Sequence, residues 1–276
     1  MPGVMTVPMM TKHRVTEPVI LAFEASGDQA SAAVLTADGR QSVHHHMARH
    51  GHAAVITGLA ELALQDCATD SSGITHVTAG CGPGSFTGIR VALAAAKGFQ
   101  IASNAVPVGL SCLAVMAHTA TAGPATADPA TAGLAGHDAQ TVLATADTRR
   151  DSFFCQAFDA NGAALGAILD VDPTRESDDP SGPVPDDQSA SNSADIDNSG
   201  SIKILVDRLP GARVIGPGAS LLAAASGGIL HEDNSQPPLH ALQVAQLAST
   251  LIAAGAPLPP LQPLYVAPAF LGPPRR

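Results

Sequence analysis

The chain contains no tryptophan, one tyrosine and seven phenylalanines in 276 residues. A core with so few rings has to be filled by Ala, Val, Leu and Ile, and Ala-rich helices can lie close to their neighbours. Cations are scarce too: 14 Lys and Arg stand against 24 Asp and Glu, a formal charge of −10. That balance argues against a chain that wraps nucleic acid by itself, since phosphate binding needs a dense basic face. No uninterrupted apolar stretch approaches membrane-spanning length, so no span is expected. Residues 1–18 hold Lys12 and Arg14 but no apolar core segment, which argues against a secretory signal. Cys67, Cys81, Cys112 and Cys155 lie far apart and form no CxxC pair. This spacing fits reduced structural thiols in a cytoplasm better than a disulfide framework or a zinc site.

What is present is enough for a globular core, because 45% of the residues are apolar. Residues 1–18 read as a poorly ordered tail, with four Met in the first ten positions. From Val19 the pattern becomes that of an α/β unit, residues 19–118, in the order βββαβαβα. Val19–Phe23 is a buried-strand run, Ala30–Leu35 a second strand, and Ala37-Asp38-Gly39-Arg40 the turn into a third, Gln41–His46. Helical spacing covers His52–Gln65 and Ile89–Ala102; His76–Gly80 and Pro107–Leu110 are strands, and another helix starts at Ser111. Residues 119–140, with repeated ATA, read as a low-complexity linker. A second unit, 141–255, starts on Val142-Leu143-Ala144, continues through Ser152–Phe158 and turns at Asp159-Ala160-Asn161-Gly162 into a strand from Ala163 to Val171. Residues 172–201 are rich in Asp, Ser, Pro and Asn and are expected to be disordered. A short apolar segment (Ile202–Leu209), a strand at Arg213–Ile215 and helices from about Ala219 and Leu239 follow. Residues 256–276 form an extended, Pro-rich end able to pack back on the first unit. Both units open on a β-meander of similar size, with turn glycines Gly39 and Gly162, and this predicts an internal duplication.

The most specific stretch is Gly82-Pro83-Gly84-Ser85-Phe86-Thr87-Gly88-Ile89-Arg90, between a strand and a helix. Ser85 or Thr87 can cap that helix. A glycine turn at a helix N-terminus can hold an anion. Neither the G-x-x-x-x-G-K-[ST] nor the G-x-G-x-x-G phosphate pattern is met, however, so a structural turn and a ligand loop both remain open. Arg90 and Lys97, seven residues apart, share a face of a helix that is otherwise almost wholly apolar. Such a helix is either an ordinary core helix with two snorkelling cations or one that faces a partner on its second side.

Ile20–Ser26, Gly82–Arg90, Ala95-Ala96-Lys97-Gly98 and Pro107–Ser111 together resemble the TsaB (YeaZ) family. Asp147-Thr148-Arg149-Arg150, Val214–Gly218 and Pro263-Leu264-Tyr265-Val266 are similar to later family segments. The resemblance implies two RNase H-like domains of the actin-like ATPase superfamily. It implies a scaffold subunit that pairs with TsaD, the relative that transfers a threonylcarbamoyl group to the adenosine beside the tRNA anticodon, with a looser contact to the ATPase TsaE. The pairing surface would be the helices near 52–66 and 89–102, so that His52, the Gly82–Gly88 turn, Arg90 and Lys97 become candidate interface residues. Without its partner such a chain could pair with itself. Transfer RNA would be met only through the complex, locally near Arg90, Lys97, Arg149 or Arg150.

The chain itself is not expected to be catalytic. TsaD binds metal through a His-x-x-x-His, and Cys112 and Met116 stand at the matching positions. A thiol and a thioether are poor ligands for a hard, phosphate-bridging metal, so ATP and metal are expected on the partner subunits. Glu24 stands where the superfamily's first phosphate loop starts with Asp. The His44, His45, His46, His50 and His52 cluster reads as a polar edge rather than a metal site. Ser26 and Ser85 show no sequence cue for a His base. The alternative is a superfamily ATPase or phosphotransferase working in its own interdomain cleft, although no Asp-x-Gly-Gly follows the strand at 141–147.

Overall fold

The computed structural model describes residues 18–48, 51–122, 141–174 and 199–266. All of the expected tail at 1–18 except Pro18, and most of the stretches at 119–140 and 172–201, lie outside these. Strands β1 (Val19–Glu24), β2 (Gln29–Thr36) and β3 (Gln41–Met47) form an antiparallel meander. Helix α1 (His52–Asp66) then leads to β4 (His76–Gly80), α2 (Phe86–Ser103) to β5 (Val106–Leu110), and α3 (Cys112–Ala122) closes the unit. β4 and β5 are parallel to β1, giving a sheet in the order β3-β2-β1-β4-β5.

The second unit repeats this scheme. β6 (Val142–Asp147), β7 (Phe153–Phe158) and β8 (Leu169–Asp172) form the meander. β9 (Ser199–Ser201), α4 (Ile202–Arg208), β10 (Arg213–Ile215), α5 (Ala219–Ala225), β11 (His231–Glu232) and α6 (Ala241–Ala253) follow. The sheet order is β11-β10-β6-β7-β8-β9, so β10 and β11 lie where β4 and β5 lie in the first unit. This is a duplicated, RNase H-like α/β architecture.

Three details depart from the sequence reading. The strand expected over Ala163–Val171 is confined to Leu169–Asp172 plus a single bridge at Ala164, because Gly166 and its neighbours are exposed and have little to pack on. Ser199–Ser201, placed in the disordered stretch, instead pairs in parallel with β8 and starts α4. The helix expected from Ile89 begins at Phe86, because the Ser85 side chain caps it by accepting from the Gly88 N–H at 3.3 Å.

Alternation along β1 sorts the first sheet into two buried faces. Leu21 and Phe23 pack with α1 and α2 through Ile56, Ala60, Ile89 and Ala92. Ile20 and Ala22 pack with α6 through Val244, Ala245 and Ala248. In the second sheet Val142 and Ala144 meet Leu113 and Ala117 of α3, while Leu143 and Val214 meet α4 and α5. The result is five layers, with α3 and α6 sandwiched between the two sheets. Each large side chain buried here contributes roughly 1.5–3 kcal/mol, so the small Ala side chains at the crossings matter for closeness more than for burial energy. His118 Nε2 and Thr250 Oγ1, 3.3 Å apart, add a polar link between α3 and α6. Among the described residues no helix is long and apolar enough to cross a membrane.

Candidate functional site

The glycine-rich turn connects β4 to α2 and is clamped by the end of β1. The Ser85 N–H donates to the Ser26 carbonyl oxygen at 2.8 Å. Gly84 has φ +149, and a β-carbon there would sit 2.8 Å from the Ser26 carbonyl oxygen and β-carbon. At Gly88 a β-carbon would overlap the Ala25 carbonyl oxygen, so only glycine lets α2 start this close to β1. The Gly82–Pro83 peptide is cis. From the other side, the Cys81 N–H donates to the Leu110 carbonyl at 2.7 Å, and the Cys112 N–H donates to the Gly82 carbonyl at 2.7 Å. Within the loop the Ser85 and Gly88 N–H groups and the Gly82 carbonyl are thus bonded inside the chain.

Beneath the turn lies a polar cluster that the sequence reading did not assemble. Glu24 is fully buried; its Oε1 accepts from the Ser26 N–H and hydroxyl, both at 2.5 Å. The Cys112 thiol lies 3.6 Å from Glu24 Oε2 and 3.4 Å from Ser26 Oγ. Burial raises the Glu24 carboxyl above the usual carboxylate range, and the hydrogen bonds from Ser26 and Cys112 only partly offset this. Burial likewise raises the Cys112 thiol and pushes the Cys81 thiol up to about 11, so neither is a thiolate at neutral pH. The signal available in the sequence was Glu24-x-Ser26 at a buried strand end; what placed Cys112 beside it is the β5–α3 junction.

The turn separates two concavities. One is a cleft of about 440 Å³ between the two units, lined by Pro83, Gly84, Ser26, Cys112, Met116 and Thr145 among others. Glu24 is not among its lining residues. Cys112 and Met116, one turn apart, both reach the cleft, as their spacing predicts. An ion pair spans its rim: Arg149 of the second unit meets Asp28 of the first at 2.7 Å and Asp147 at 3.6 Å. Arg149 adopts φ +63, a left-handed conformation uncommon for a residue with a β-carbon.

The other concavity is a groove of about 530 Å³ between α1 and α2, which includes Ala53, Thr57, Phe86, Arg90, Val91 and Ala94. α2 buries Ile89, Ala92, Leu93 and Ala96 in the core but leaves Phe86, Thr87, Arg90, Ala94, Lys97 and Ile101 outward. Ile101 is 82% exposed and Phe86 47%. On α1, Leu62 is 46% exposed, while His52 opens the helix with a buried side chain. The candidate residues therefore divide. Phe86, Thr87, Arg90 and Lys97 are on the outward face; Gly82, Ser85 and Gly88 are inside the turn; Pro83 and Gly84 line the cleft.

Tyr265 was not singled out from the sequence as a site residue. The segment after α6 returns to the first unit, where Leu264 N–H donates to the Cys81 carbonyl at 2.8 Å and Leu261 joins the core. This brings Tyr265 against Phe86 and Arg90. In the histidine cluster, His44 Nε2 lies 2.7 Å from Asp66 Oδ2 and His45 and His46 are exposed; His50 is outside the described residues. Among the described residues no three His, Cys, Asp or Glu side chains converge as metal ligands would.

The sequence model of the family described as TsaD, tRNA N6-adenosine threonylcarbamoyltransferase, matches residues 35–192, more than half of the chain. The tRNA threonylcarbamoyladenosine biosynthesis protein TsaB of Escherichia coli K12 is 31% identical over 101 residues, which cover 37% of this chain and 43% of that protein. The match thus spans less than half the length of that curated relative. YeaZ from Pseudomonas aeruginosa superposes with a TM-score of 0.60 at 21% identity, over 90% of this chain and 100% of the other. A protein from the same organism with similarity to peptidase YeaZ gives 0.60 at 22% identity, over 91% and 100%. These structural likenesses establish the fold. With its glycine turn, its duplicated sheets and the matched sequence, the chain belongs to the TsaD family as a member of its TsaB (YeaZ) group.

Proposed function

We propose that the chain is a non-catalytic partner subunit in the synthesis of threonylcarbamoyladenosine in tRNA. It pairs with a TsaD-type subunit and so supports threonylcarbamoyl transfer to the adenosine beside the anticodon. The observation that carries this reading is the outward face of α2: the large apolar side chains of Phe86 and Ile101 stand exposed on the same side of the helix as the small residues Ala94 and Gly98, and Ala53 of α1 lies across the groove. A face of this kind gives a partner helix both close approach and apolar area. Catalysis falls to the partner on this reading, because Cys112 and Met116 offer soft sulfur ligands at the cleft, with the thiol held protonated. ATP and metal then belong to the partner subunits, including a TsaE-type ATPase. Transfer RNA is met through the assembly, in the cytoplasm, where the four free cysteines remain reduced. In the partner's absence the same face pairs two copies of this chain.

Co-expression with the TsaD-type protein of the same organism, followed by size-exclusion chromatography, tests the pairing. The expected result is one peak containing both chains. Ile101→Asp, which places a charge on the outward face and disturbs no packed core, abolishes that peak while leaving the circular dichroism spectrum unchanged. Co-elution of Ile101→Asp at the wild-type level would remove α2 from the interface.

A further inference from the structure

The groove between α1 and α2 is lined by one charged side chain, Arg90, and that side chain is already held in place. We propose that Arg90, braced by Phe86 and Tyr265, recognises a side-chain carboxylate on an otherwise apolar docking helix of the partner. The inference rests on the pairing reading and names the chemistry of the occupant.

The guanidinium carbon of Arg90 lies 3.8 Å over the centre of the Phe86 ring, one helical turn back. A terminal N–H donates to the Tyr265 hydroxyl at 3.5 Å, and the two rings stand 6.1 Å apart, tilted by 38°. Arg90 thus touches an aromatic face and a phenol but forms no ion pair with a carboxylate among the described residues. A guanidinium has five N–H donors in a planar fork that matches a carboxylate. Holding the fork against two rings removes rotamer freedom before docking, so less is lost on binding. The surrounding Ala53, Ile56, Val91 and Ala94 would exclude water once an apolar helix is seated, which strengthens the attraction between the two charges. Lys97, two turns on and exposed, has no ring contact among the described residues and contributes only long-range charge.

Tyr265 gives the arrangement a second origin in the chain. It is carried by the return segment from the second unit, so a carboxylate at Arg90 is met by groups from both units. Tyr265 is a positioning residue on this view, acting through Arg90.

The test is the affinity of the full chain for the TsaD-type subunit, measured by calorimetry at low and high salt. Arg90→Lys keeps the charge and loses the planar fork; Arg90→Gln loses the charge. Arg90→Lys is expected to weaken binding by about tenfold, Arg90→Gln by more, and the salt dependence is expected to drop in Arg90→Gln. Tyr265→Phe keeps the ring, removes the hydroxyl and gives a smaller loss. Circular dichroism and the melting temperature of the isolated chain stay at their wild-type values throughout. Binding by Arg90→Gln within about twofold of wild type, with unchanged salt dependence, overturns the inference and leaves the pairing intact. No complex with the unaltered chain at any salt overturns the pairing and this inference with it.

Discussion

Glu24 is an ionisable group placed where ionisation is costly. Its carboxyl is enclosed under the glycine turn, with Ser26 and Cys112 as its hydrogen-bonding neighbours. A carboxyl whose folded pKa lies above its unfolded value stabilises the fold fully below the unfolded pKa. That contribution is lost as pH rises through the folded value. Here desolvation sets the upward direction, so the penalty sets in as pH rises above the ordinary carboxyl range. Glu24→Gln keeps the acceptor for Ser26 and cannot ionise. Its melting temperature is therefore expected to match wild type near pH 4 and to exceed it as pH is raised above the ordinary carboxyl range, at roughly 2–4 °C for each kcal/mol gained. Parallel thermal melts of the two proteins across this range check it; a gap that does not widen with pH would mean that Glu24 is not neutral in the fold. The sequence showed that Glu replaces Asp here. It could not show that the carboxyl turns into the core, because the group that encloses it, Cys112, comes from a strand–helix junction 88 residues away.

Helix α2 was legible in the sequence as an element and as a surface. Its apolar periodicity, the glycine turn before it and the seven-residue spacing of Arg90 and Lys97 all follow from local sequence. Its first turn was not, because Ser85 and Thr87 were equal candidates for the cap until β1 fixed the Ser85 backbone. Gly98 is the informative position. It sits mid-helix on the exposed side, where a glycine costs about 1 kcal/mol relative to alanine, and a β-carbon there would meet nothing within 4 Å. Nothing among the described residues calls for a glycine there. It falls one turn after Ala94 on the outward face, where a closely packed partner helix would benefit from a missing side chain. Gly98→Ala is expected to raise the stability of the isolated chain by about 0.5–1 kcal/mol. Gly98→Leu is expected to fold equally well and to lose the partner. Denaturant titration of each variant, set beside co-elution with the TsaD-type subunit, separates the two effects; if Gly98→Leu still pairs at the wild-type level, α2 does not approach its partner at this turn.

The two units are joined more closely than their sequences suggest. The duplication was visible in the meanders, since turn glycines and alternating strands are local signals. The interleaving was not, because nothing in α6 announces that it packs on the first sheet while α3 packs on the second. The return segment completes the exchange. Gly109 N–H donates to the Pro259 carbonyl at 2.9 Å, Leu264 N–H donates to the Cys81 carbonyl at 2.8 Å, and Leu261, 7% exposed, fills a gap in the first core. These contacts hold the segment against β5 and the residue that follows β4, and they deliver Tyr265 to Arg90. Leu261→Ala removes the anchor. Truncations of this kind cost about 2–5 kcal/mol in a rigid core, and a surface strap that can relax belongs at the low end of that range. The loss is expected to be local: amide exchange at Gly109 and Leu264 accelerates, while β6 and β7 of the second unit keep their protection. Pairing with the TsaD-type subunit weakens in step, because Tyr265 no longer braces Arg90. Uniform acceleration across both sheets would instead make Leu261 an ordinary part of one cooperative core, with the return segment playing no separate role in shaping the groove.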